Sequence, residues 1–151
     1  MIERNNSNKE NELLVKELHA LLVSLKASLK YYCGLLVKEK EAVLDKDTLK
    51  IEKYISTERE AFARILSLKR SADTYTEAAE RGGFILDSLK PLRGEMETLR
   101  NKALSLQKEL RTLLLKEMTG MKEELAECAG RRQGRSTRLK SGKPAFIDIK
   151  V

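Results

Sequence analysis

Apolar residues recur in steps of four and three along three long stretches of the chain, and the steps are interrupted at two places. In the first stretch Leu18, Leu22, Leu25, Leu29, Tyr32, Leu36 and Val43 hold one register, with Glu39 its single polar interruption. Leu14, Leu21 and Leu35 widen the stripe, so a helix over about residues 10–44 can bury more than a two-stranded seam. Gly34 is its only glycine, either a point of close helix approach or a tolerated defect costing about 1 kcal/mol against alanine.

Asp45-Lys46-Asp47-Thr48 breaks the pattern, and Asp47 or Thr48 has the side-chain oxygen needed to cap a following helix. The second stretch, about 48–81, carries Tyr54, Ala61, Ile65, Leu68, Ala72, Tyr75 and Ala79 in heptad register, with Glu58 in the one polar slot. Glu60 with Arg64 and Glu77 with Arg81 stand in the favourable i,i+4 order. Gly82-Gly83 is a strong stop, because glycine enters the left-handed conformation that ends helices.

The third stretch is read over about 84–128. Ile85, Leu89, Leu92, Met96, Leu99, Ala103, Leu106, Leu110 and Leu113 stay in phase across Pro91, which favours one kinked helix over two, although Lys90 before the proline argues for a boundary. The seam then slips by one residue to Leu114, Met118, Met121 and Leu125. Short connections make successive helices antiparallel. The expected fold is all-α: an elongated antiparallel three-helix hairpin or bundle with coiled-coil-like packing. A third helix longer than its partners leaves one apolar end uncovered.

Composition supports long amphipathic helices: 151 residues, 35% charged, 5% aromatic, no tryptophan and two prolines. The net charge of +7 is unevenly placed. Residues 1–128 balance to +1, whereas 129–151 hold Arg131, Arg132, Arg135, Arg138, Lys140, Lys143 and Lys150 against Asp148 alone. With Gly130, Gly134, Gly142 and Pro144, this segment reads as a mobile basic tail that cannot bury enough to order itself. Its last residues, from Phe146 to Val151, alternate like a short strand and could form a docking peptide. The longest uncharged apolar stretch, Leu18 to Leu25, is far short of the roughly 20 residues that span a bilayer, and the polar start lacks a signal-peptide core. A cytoplasmic protein without membrane insertion is expected.

Material for catalysis is scarce. His19 is the only histidine and lies in a helical pattern; Cys33 and Cys128 form no disulfide framework and read as small apolar residues. His19, Cys33 and Cys128 have no metal-ligand spacing, and Ser141-Gly142-Lys143 lacks the glycine-rich lead and following helix of a phosphate loop. No enzyme activity, metal or cofactor is expected. Specific nucleic-acid recognition is not expected either, since Phe146 is the tail's one aromatic; weak phosphate contacts through Lys and Arg need no more than charge.

The segments LLVKEKEAVLDKDTL, EREAFARILSLKRS and LRNKALSLQKELRTLLL, within residues 13–128, resemble the flagellar export chaperone family FlgN. The resemblance implies a cytosolic chaperone of type III flagellar export. Such a chaperone shields the amphipathic C-terminal helix of the hook–filament junction proteins FlgK and FlgL and delivers them to the export gate protein FlhA. It places the client surface toward the C-terminal part of the chain, here at Leu106, Leu110, Leu113, Leu114, Met118, Met121 and Leu125. The family's gate-docking element involves a tyrosine near the C-terminus; this chain departs from that pattern, with none after Tyr75, and Phe146, with Ile147 and Ile149, is the candidate docking element in its place.

The residues themselves point the same way. Helix-in-groove recognition needs apolar anchors at i, i+3, i+4 and i+7, which Leu114, Met118, Met121 and Leu125 supply, and methionines adapt to more than one partner. The same residues could instead fill the bundle's own core. Two further readings stay open: a structural coiled-coil adaptor that self-associates through its seams, and a protein that binds an anionic surface or nucleic acid through the tail.

Overall fold

The computed structural model describes residues 2–83 and 86–131. These form three α-helices, α1 (Ile2–Leu44), α2 (Thr48–Arg81) and α3 (Lys90–Arg131), with a 3-10 turn at Asp87–Leu89 leading into α3. There is no strand among the described residues, and the fold they form is all-α. The basic segment beyond Arg131, including Phe146, Ile147 and Ile149, lies outside the described residues.

Helix α1 is the central element: α2 and α3 both pack along it, while their own backbones barely approach each other. The chain directions follow from the side-chain pairs. Along α1 and α2 the pairs run in opposite order, Glu17 with Tyr75, Tyr32 with Phe62 and Glu39 with Glu58. Along α1 and α3 they rise together, Lys26 with Glu95, Tyr32 with Gln107 and Lys40 with Glu109. Two fold-backs produce this order.

The leading register of α1 is the core. Leu18, Leu22, Leu25, Leu29, Tyr32, Leu36 and Val43 are all buried, joined by Ile65 and Ala72 from α2 and by Met96, Ala103 and Leu110 from α3. A helix with two neighbours needs a broad apolar face, which is why α1 is the most apolar of the three. Although its uncharged runs are short, the Asn8–Leu44 part of α1 contains a stretch long and apolar enough to cross a membrane when its two lysines are tolerated. In the fold, the leucines of that stretch are spent on the contacts with α2 and α3.

Helix ends follow local chemistry. At the first connection Lys46 takes φ 56°, and the amides of Asp45, Lys46 and Asp47 bond back to Glu41, Val43 and Ala42. Asp47 then caps α2, its Oδ1 accepting from the amide of Lys50 at 3.2 Å. At the far end Gly82 closes α2 and Gly83 adopts φ 77°.

Two boundaries differ from those expected. Helix α1 starts at Ile2 and not near Glu10, because the polar lead contains neither glycine nor proline to stop it. Pro91 does not kink a longer helix. It lies in the first turn of α3, where amide hydrogens have no helical partner and a proline loses nothing. Leu89 keeps its core register from the preceding 3-10 turn. Helix α3 also runs to Arg131, into the segment read as tail.

Candidate functional site

Lys46 in the first connection lies 3.9 Å from Glu117 of α3, so Glu117 is level with the point where α1 has ended and α2 has not begun. Helix α3 continues from Met118 to Arg131, about 21 Å farther at 1.5 Å per residue. Every residue from Met121 to Cys128 is exposed, including Met121 at 56% and Leu125 at 38%. The free end is not a polar face turned outward. Met121 stands eighteen residues, five full turns, after Ala103, which is completely buried against α1. The α3 face that packs on α1 therefore continues past the end of α1.

The seven expected client-binding residues are divided by this geometry. Leu110 is part of the core, 2% exposed, and Leu106, Leu113 and Leu114 pack against the core. Met118 is half-buried at the level of the turn, and Met121 and Leu125 stand free beyond it. Periodicity marks all seven because it reports which face a residue shares, not whether a neighbour stands opposite it.

A second constellation lies inside the bundle. Gln107 Nε2 donates to the hydroxyl of Tyr32 at 2.7 Å, and the Tyr32 ring tilts against Phe62 with centroids 6.3 Å apart. Burial pushes the Tyr32 hydroxyl well above the usual phenol range, against the opposing effect of its bond with Gln107. Nearer the first connection, two turns from Tyr32 on α1 and one turn from Phe62 on α2, Glu39 and Glu58 meet in the interior. The two interruptions of otherwise apolar seams are thus partners. Each lies within about three turns of the first connection, which is the signal by which a fold-back pairs them.

Glu39 is 2% and Glu58 8% exposed, and they share a side-chain hydrogen bond. One oxygen of each, Glu39 Oε2 and Glu58 Oε1, is buried and takes no hydrogen bond from any donor among the described residues. Burial raises both carboxyls. Glu58 is pushed up to about 10, first by desolvation and then by the bond to Glu39 and its charge. The two carboxyls are close enough to share one proton, and burial favours the state in which the pair keeps it.

His19 is exposed, Cys33 is buried with its Sγ 3.6 Å from the Leu99 carbonyl, and Cys128 is exposed on the free end of α3. Burial raises the Cys33 thiol, partly offset by Lys102. Among the described residues no group of three or more His, Cys, Asp or Glu side chains is arranged to hold a metal. No protein family, curated protein or solved structure matches the chain.

Proposed function

We propose that the protein is a cytosolic export chaperone of the FlgN type, non-catalytic, which shields the C-terminal helix of FlgK or FlgL and hands it to FlhA. In this reading the three helices form an elongated antiparallel bundle with coiled-coil-like packing, whose role is to hold one helix end open. The observation that carries the reading is the continuation of α3's buried face beyond α1, ending in exposed Met121 and Leu125. An amphipathic client helix laid along Leu114, Met118, Met121 and Leu125 would occupy the place that α1 leaves empty. Methionines give that strip the adaptability a chaperone with two clients requires.

The test is capture of purified FlgK and FlgL by the full chain. Binding should be lost in the double variant Met118→Glu, Met121→Glu with the helical circular dichroism unchanged. Capture of neither client by the unaltered chain removes the functional reading. Undiminished capture by the double variant removes the site.

A further inference from the structure

We propose that Glu39 and Glu58 form a proton-operated clasp that holds the turn end of the α1–α2 hairpin shut while they share a proton and lets it open when the proton is lost to solvent. Placement carries the proposal. Between Glu58 and the first connection α2 has no buried residue; only Ile51, Tyr54, Ile55 and Thr57 are half-buried there. On α1 the buried residues between Glu39 and the turn are Ala42 and Val43 alone. Leu44 and Leu49, which could have closed this end, are exposed. The carboxyl pair is therefore the last place before the turn where α1 and α2 each contribute a fully buried side chain; beyond it Val43 meets only half-buried residues of α2.

The chemistry of the pair makes the contact conditional. With one proton present, a carboxylic acid donates to a carboxylate, a strong charge-assisted bond. With none, two buried carboxylates face each other, and each takes the full cost of a desolvated charge. The surroundings offer no relief. On α1, Tyr32 and Cys33 are held neutral by burial, Lys38 and Glu41 are exposed, and half-buried Lys40 is paired with Glu109. On α2 stand Glu58 itself and, one turn nearer the connection, the half-buried phenol of Tyr54, while Arg59 and Glu60 are exposed. At this level α3 brings neutral Gln107, bonded to Tyr32, while Lys108, Glu109 and Arg111 are exposed and Glu109 is engaged by Lys40. The causes acting on Glu39 and Glu58 are burial and each other, and no cation is among them. Water entering at the turn satisfies the two charges only if α2 swings away from α1.

The folded pair binds a proton that the unfolded chain releases near 4.5, so the clasp is fully fastened below that value and weakens as pH rises toward about 10. In that window the equilibrium for opening shifts by up to about tenfold per pH unit. The opening is local, because Leu18 to Leu29, Ile65 and Ala72 keep the far part of the hairpin packed. The proposal does not depend on the export reading.

Two measurements on the full chain test it. Carbon-detected carboxyl titration by NMR should find one Glu side chain still titrating above pH 7; if every carboxyl titrates below about pH 5.5, the clasp does not exist. Hydrogen exchange, corrected for its intrinsic pH dependence, should show protection falling between pH 6 and 9 in peptides covering 39–58 and not in those covering 18–29. Glu58→Gln, which keeps a donor and cannot ionise, should abolish the fall. Loss spread evenly over all three helices, or an unchanged pH response in the variant, overturns the proposal. Should Glu58→Gln fold poorly, the carboxyl titration of the unaltered chain decides alone.

Discussion

Gln107 of α3 donates a 2.7 Å hydrogen bond to the hydroxyl of Tyr32, the largest fully buried side chain of α1. The bond makes the burial of a phenol tolerable, since an unpartnered buried hydroxyl is costly. Tyr32→Phe keeps the ring against Phe62 and removes the hydroxyl. Urea unfolding should show a loss of about 1 kcal/mol, the usual net worth of such a bond. Tyr32→Ala should cost about 3–5 kcal/mol through the cavity it opens. A Phe variant as damaged as the Ala variant would mean that the bond, and not the ring, fixes α1 to α3.

Three backbone positions invite stabilisation. A Cβ added at Gly34 or Gly120 meets nothing, so neither glycine is there for close approach. Gly34→Ala and Gly120→Ala should each stabilise by about 0.5–1 kcal/mol, the helix-interior cost of glycine. Lys46 is the reverse case, a side-chain-bearing residue at φ 56°. Lys46→Gly should raise the thermal midpoint despite losing the long, exposed ion pair with Glu117, which contributes little. A lowered midpoint in Lys46→Gly would show that the ion pair matters more than the backbone.

The helical seams were legible because burial on a helix has a sequence period, and the first connection because Asp47 carries capping chemistry. The role of Pro91 was not. A proline in phase with a heptad looks like a kink until the preceding turn is seen to be 3-10, which moves it into a first turn. Glu39 and Glu58 were visible singly as interruptions. Their pairing depended on the offset between two helices, which the spacing within each helix does not encode. For the same reason the seven apolar residues from Leu106 to Leu125 looked equivalent, although Leu110 is core and Leu125 is free.

Lys26 of α1 is hydrogen-bonded and ion-paired with Glu95 of α3, and this holds the Glu95 carboxyl below its ordinary value of 4.5. The unfolded chain therefore binds the proton more readily. The contribution is present above pH 4.5 and is lost as the pH falls through the lower, folded value. Glu95→Gln should lower stability by a constant amount above about pH 6, where the pair is fully formed, and flatten the acid side, where the two profiles converge. Thermal melts between pH 2.5 and 7 measure this, and an acid limb identical to that of the unaltered chain would mean that the pair makes no net contribution.

Leu110 and Leu125 occupy one periodic pattern and opposite circumstances. Leu110→Ala removes a side chain enclosed between α3 and α1 and should cost about 2–5 kcal/mol. Leu125→Ala removes one that no other helix of the bundle covers, and its effect should stay within about 0.5 kcal/mol. On the proposed function the contrast reverses in binding: Leu125→Ala should weaken capture of the proposed client helix while the stability of the free protein is unmoved. Denaturant titration of the free protein alongside calorimetry with the client separates the two effects. A residue whose only contacts are with a partner cannot stabilise the free fold, so a large loss of stability in Leu125→Ala would place it in an intramolecular core and remove it from the binding strip.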